Sequence, residues 1–159
     1  LAWPLYRQLT HVRKIWRPLL LFIAIGTPLA SGTAVAIAWA MGAPMDVLGS
    51  LAPKSITTPI ALEVVKFTGG YGALAAGIIA ITGIVGAMAA PLVFRLLNVT
   101  DDRIRGLALG MVAHAIGTAR AFEYSEKAGA FSSLALGLTG LLTALLLPLI
   151  WPWLAAWLG

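Results

Sequence analysis

Charged side chains divide the chain into three long uncharged runs, Pro18–Met45, Phe67–Phe94 and Ala128–Gly159. Each holds about twenty apolar residues, the length a helix needs to cross a bilayer. The pattern predicts helices near 18–41, 72–95 and 131–157. Pro28 and several glycines interrupt the first, which helices in lipid tolerate better than helices in water. Trp151, Trp153 and Trp157 crowd the end of the last, as an interfacial aromatic belt does.

Two further apolar stretches are shorter. Ser50–Glu63 reads SLAPKSITTPIALE and Gly106–Glu123 reads GLALGMVAHAIGTARAFE. As helices they would reach roughly 20–27 Å, short of a comfortable span. The first carries Pro53, Lys54, Ser55, Thr57, Thr58 and Pro59; the second carries His114, Gly117, Thr118 and Arg120. They are read as interrupted or re-entrant segments sheltered by the full helices.

The short stretches also match each other. Lys54–Glu63 (KSITTPIALE) set against His114–Glu123 (HAIGTARAFE) pairs Ile56, Thr58, Ala61 and Glu63 with Ile116, Thr118, Ala121 and Glu123. Further on, Ile81–Phe94 lies over Leu138–Trp151, pairing Thr82, Gly83 and Pro91 with Thr139, Gly140 and Pro148. Compositional bias produces some matches between any two Ala/Leu/Gly-rich helices, but Thr, Glu and Pro are scarce here and all align. The reading is a repeat with units of about 50–95 and 106–151, of the kind found in duplicated transporters. Arg7, Arg13, Lys14 and Arg17 precede the first span, and Arg95, Arg103 and Arg105 follow the second. The positive-inside rule puts both groups on the cytoplasmic side. That requires the two units to be inverted, with their short segments approaching the midplane from opposite faces.

Composition narrows the class. The chain has 159 residues, 60% hydrophobic and 11% charged, with a mean hydropathy of +0.92. A soluble domain carries roughly 25% charged residues. The expected class is an all-α integral membrane protein forming one transmembrane domain over 1–159. Leu1–Tyr6 resembles the tail of a helix that began earlier, so any count of spans is a minimum. The net charge of +5 flanks apolar runs and calls for no nucleic-acid partner. No cysteine is present, which leaves no disulfide framework or thiolate metal site, and two histidines suggest no metal centre. No cofactor is expected. P-loop, HExxH and GxSxG patterns are absent, so the chain does not read as an enzyme.

Ionisable groups at membrane depth are costly and so are functional candidates by default. Lys54 and His114 share a repeat position, at the entry to Ile-x-Thr. Broken helices aim N-terminal amides at a ligand and favour an anion. Lys54, Ser55, Thr57, Thr58, His114, Gly117, Thr118 and Arg120 form the candidate binding set for a small carboxylate. His114, Glu63 and Glu123 are candidates for proton coupling. The alternatives are structural. Thr58 and Thr118 also suit helix packing, His114 can be a satisfied core histidine, and Arg120 can simply pair with Glu123 or Glu126.

The stretches SLAPKSITTPIALE and GLALGMVAHAIGTARAFE resemble the LrgB/CidB family of bacterial inner-membrane proteins, and the opening LAWPLYRQ resembles the stretch before one of that family's helices. The likeness covers nearly the whole chain, and it implies that the family's first one or two helices are missing. The resemblance implies antiholin-like control of murein hydrolase activity beside a small holin-like partner of the LrgA/CidA type. A plastid relative that resembles a fusion of both parts translocates glycolate and glycerate, and bacterial members are linked to pyruvate movement. The implied function is a carrier or facilitator of small monocarboxylates in the bacterial inner membrane, with a regulatory lysis subunit as the alternative. The bilayer, the substrate, the holin-like protein and further copies of the chain are the expected partners.

Overall fold

A computed structural model describes Tyr6, Arg13 and residues 15–158. The expected helix tail at Leu1–Tyr6 falls almost wholly outside these residues, as do Arg7 and Lys14. Among residues 15–158 six helices follow in order: α1 (Trp16–Ala40), α2 (Met45–Leu51), α3 (Thr58–Thr68), α4 (Gly72–Leu96), α5 (Asp102–Tyr124) and α6 (Glu126–Leu158). Three of them, α1, α4 and α6, are long and apolar enough to cross a membrane. At 1.5 Å per residue even the shorter two reach about 37 Å, beyond the roughly 30 Å of hydrocarbon. The last span begins at Glu126, five residues earlier than the apolar pattern places it. Ser125 explains the early start, because its Oγ accepts the N–H of Ala128 at 3.0 Å and so caps the first turn.

The short stretches are the middles of longer elements, and both elements fold back on themselves. In the first, α2 stops at Ala52–Pro53 and α3 starts after an extended Thr57 (φ −68°, ψ 142°). Pro59 sits in the opening turn of α3, where its missing N–H costs no helical bond. The two ends of this hairpin meet again. Thr68 Oγ1 donates to the Gly49 carbonyl at 2.8 Å, and the N–H of Tyr71 donates to Ser50 Oγ at 2.7 Å. Gly69, at φ 70°, ends α3 in the left-handed conformation that glycine adopts without penalty.

In the second hairpin the break falls on one residue, His114, with φ 42° and ψ −127°. The arms 102–113 and 115–124 lie side by side. A Cβ on Gly117 would collide with the Leu109 carbonyl and stand 2.6 Å from Ala113 Cβ. At the open end Ser125 Oγ donates to Asp102 Oδ2 at 2.7 Å, and the Arg105 guanidinium lies 5.3 Å from the Tyr124 ring centroid.

The two hairpins open at opposite ends of the three long helices. The base of the first meets the start of α4 through the Ser50–Tyr71 bond, and Leu48 packs with Val35 of α1 and Trp151 of α6. The base of the second meets the other ends. Leu107 packs with Leu19 and Phe131, and Leu109 with Phe94 and Ala128. Its first arm fits against α6 through Gly106-x-x-x-Gly110, where an added Cβ would strike the carbonyls of Ala128 and Ser132. Small residues at this spacing let helix backbones touch, a common device in lipid.

Candidate functional site at the hairpin tips

Both tips lie against the long helices, away from the helix ends where their hairpins open. His114 Nε2 stands 2.9 Å from the carbonyl oxygen of Ile79, and its ring fills the space beside Gly83. Ile79 and Gly83 lie within the first half of the Gly72–Leu96 helix, Gly83 one residue from its centre. A carbonyl only accepts, so Nε2 carries the proton of this bond and Nδ1 is left for other use. The Ile79 side chain belongs to the apolar cluster that holds Ala52 and Ile56 of the first tip. Ile79 of α4 thus bonds the second break through its carbonyl and shares an apolar cluster with residues of the first.

Lys54, on the first tip, lies within Coulombic range of His114. Its ammonium donates to Ser55 Oγ at 3.2 Å. No acidic side chain pairs with it among the described residues. The helices that leave the tips, α3 and the arm 115–124, both begin there. Their first-turn amides give each tip the positive end of a helix dipole, and α3 has no side-chain cap to satisfy its amides. The two tips therefore carry a half-buried ammonium, an imidazole and two helix N-termini, and no carboxylate pairs with Lys54 among the described residues. Such tips favour an anion.

The sequence-derived candidates separate into three groups. Lys54 and buried Ser55 share the first tip, with Thr57 and Thr58 beside them as N-cap and first residue of α3, and Lys54 lies within Coulombic range of His114 on the second tip. Gly117 and Thr118 hold the break in shape. Thr118 Oγ1 donates to the His114 carbonyl at 2.9 Å and lies 2.9 Å from Ser132 Oγ. Arg120, Glu123 and Glu63 lie away from the tips. Arg120 pairs with Glu123 and sits 5.7 Å from the Tyr124 ring centroid. Glu63 pairs with Lys66 at 2.7 Å, and both are exposed.

Three hydroxyls escaped the sequence reading as site groups. Thr27, Thr139 and Thr143 are each at most 6% exposed, and their Oγ1 atoms have no hydrogen-bond partner. Thr27 and Thr143 line one cavity with Ser31 and Ala52, beside the first tip. A lone threonine in an apolar helix looks like packing in the sequence. Only Thr139, matched to Thr82 in the repeat, carried a signal. Among the described residues no three His, Cys, Asp or Glu side chains cluster to hold a metal ion.

Comparison with known proteins decides the family. The LrgB-like family model matches residues 1–153. The chain belongs to the LrgB-like family. A Haemophilus influenzae relative, described only as an uncharacterized protein, is 35% identical over 94% of the chain, and Bacillus subtilis YxaC is 34% identical over the same share. The chain spans 65% of the length of each of these two curated relatives. Antiholin-like protein LrgB of Bacillus mycoides is 29% identical over 96% of the chain and 66% of its own length. No solved structure matches. The family and the three apolar helices together make this LrgB-like chain a membrane protein.

Proposed function

We propose that this LrgB-like protein is a carrier of small monocarboxylates of the glycolate, glycerate or pyruvate type in the bacterial inner membrane. The observation that carries the reading is Lys54. It is an ammonium on the first hairpin tip without a carboxylate partner among the described residues, within Coulombic range of His114 on the second. In this reading the hairpins are re-entrant, dip into the bilayer from opposite faces and belong to inverted units. The arginine-rich end near Arg95 and Arg103 lies in the cytoplasm. The substrate carboxylate sits between Lys54 and the helix N-termini, and the hydroxyls of Thr57 and Thr58 orient it. His114 Nδ1 takes or gives a proton as substrate arrives and leaves. Glu63 and Glu123, engaged in outward-facing ion pairs, have no part in that transfer.

The test is uptake of labelled glycolate and pyruvate into proteoliposomes containing the full-length protein, with and without its holin-like partner. Lys54→Gln is expected to weaken apparent affinity about tenfold or more, the scale of a charge-assisted hydrogen bond. If wild type moves neither acid under either condition, the reading is overturned.

A second reading has its own support, the name "antiholin-like" that several relatives carry. As a regulatory subunit of a holin-like complex controlling murein hydrolases, the protein would not use the charge of Lys54. Lys54→Gln would then change lysis only in proportion to the folded protein lost.

A further inference from the structure

A second polar cavity lies far from the hairpin tips, at the end of α4. Its volume is about 370 Å³, and Pro91, Phe94, Arg95, Asn98, Arg105 and Tyr124 line it. That volume falls within the roughly 300–1,000 Å³ of small-molecule sites. Three observations make it a site. Arg95 is exposed and has no ion-pair partner among the described residues, so its charge is available. Arg105 is fixed, with Nε donating to the Val99 carbonyl at 2.9 Å and Nη1 lying 3.3 Å from Asp102. The Tyr124 hydroxyl is enclosed yet has no hydrogen-bond partner.

The local backbone does not oppose an anion. Carbonyls at a helix end normally carry negative dipole charge. Here the N–H groups of Leu97, Asn98 and Val99 close back onto those of Val93, Arg95 and Phe94. Asn98 makes this possible with φ 50°, a left-handed conformation that asparagine tolerates better than most residues.

The position identifies the chemistry. The C-terminal turn of α4 lies about where a span of this length emerges among headgroups. Met88, Leu92 and Leu96, spaced one turn apart on the same helix, are 58–76% exposed and form an apolar track alongside. We propose that this cavity binds a phosphate group, supplied at that depth by an anionic phospholipid whose acyl chain follows the α4 track. Arg95 and Arg105 meet the phosphate oxygens, and the Tyr124 hydroxyl donates to one of them. The proposal is independent of what the hairpin tips bind.

The experiment places the full-length protein in nanodiscs of phosphatidylglycerol or phosphatidylcholine and measures retained lipid by native mass spectrometry. Inorganic phosphate is titrated in parallel against lipid-free micelles. Wild type is expected to retain phosphatidylglycerol selectively. Arg95→Gln and Tyr124→Phe are each expected to weaken retention about tenfold, while Lys66→Gln at the opposite end leaves it unchanged. Tyr124→Phe keeps the ring and removes only the hydroxyl, so its fold is preserved. Equal retention of both lipids, or retention unaffected by Arg95→Gln and Tyr124→Phe, overturns the site. Binding of inorganic phosphate that these variants abolish, without selective lipid retention, overturns the headgroup assignment in favour of a soluble phosphate.

Discussion

His114 reaches the Ile79 carbonyl only because residue 83, one turn along the same helix, is glycine. A Cβ there would stand 2.6 Å from His114 Cε1 and 2.8 Å from Ile116 Cδ1. Gly83→Ala is therefore expected to displace the imidazole and destabilise the fold by about 1–3 kcal/mol, as overpacking does. Thermal unfolding in detergent measures the second effect. Loss of uptake greater than the loss of folded protein would show the first.

The backbone of His114 offers a cleaner separation of structure from function. Its φ of 42° is one that L-residues adopt at a cost of about 1–3 kcal/mol, and glycine does not bear that cost. His114→Gly relieves the strain while removing the ring and its bond to Ile79. The expected outcome is a melting temperature near that of wild type, with substrate-dependent thermal stabilisation abolished. A variant that fails to fold would mean that the imidazole bond outweighs the strain.

The open ends of both hairpins are held by serine and threonine hydroxyls. Ser50 Oγ accepts the Tyr71 N–H at 2.7 Å and itself donates to the Asp46 carbonyl at 2.7 Å. Ser50→Ala leaves the Tyr71 amide without that acceptor. Ser125→Ala removes both the cap of α6 and the tie to Asp102. Each is expected to cost about 1–2 kcal/mol. Hydrogen exchange should rise first around 46–50 and 68–71 for Ser50→Ala, and around 102 and 125–128 for Ser125→Ala.

Gly106 and Gly110 set how closely the second hairpin fits against α6. Alanine at either position meets backbone carbonyls, which cannot rotate away as a side chain can. The double variant is expected to push the arm off α6 and lose several kcal/mol, whereas each Gly→Ala change at an exposed helix position would gain about 1 kcal/mol. Cysteine cross-linking between positions 107 and 131 would report the separation.

Asp101 caps α5 and predicts an acid response. The Arg103 guanidinium, 2.5 Å from its carboxylate, and the Arg103 N–H at 2.8 Å hold its pKa at about 2, below the ordinary 3.8. A carboxyl depressed in the folded state contributes its stability in full above the ordinary value and loses it as pH falls through the depressed one. The stability difference between wild type and Asp101→Asn should be constant above about pH 4 and shrink between about pH 4 and 2.

The membrane scaffold was plain in the chain, because an apolar run of about twenty residues without a charge belongs in a bilayer. Prolines 53 and 59 marked the first break for a local reason. Position 114 itself is neither glycine nor proline, and His114 stood out as an ionisable group in an apolar stretch that the repeat sets opposite Lys54, which does not reveal a backbone break at that residue. The structure sets both residues at hairpin tips. Arg120 and Glu123 show the opposite case. Their i,i+3 spacing is the ordinary signature of a helix-face pair, and that is how they are engaged. Thr27 and Thr143 were not legible as partnerless groups, since a hydroxyl's lack of a partner depends on helices distant in sequence.

The Trp39 indole N–H donates to the Leu158 carbonyl at 2.9 Å, and its ring leans on Trp157 at a centroid distance of 5.8 Å. At their other ends α1 and α6 share the packing of Leu19 and Ile23 with Phe131 and Ala135. These two helices are fastened like a bow at both tips. The cleft between Thr27 and Thr143 lies along the unfastened middle, with Pro28 on its wall. Proline is where a helix bends most readily. A bend at the centre of α1 would therefore widen the cleft that holds these hydroxyls, while both ends of the pair stay closed.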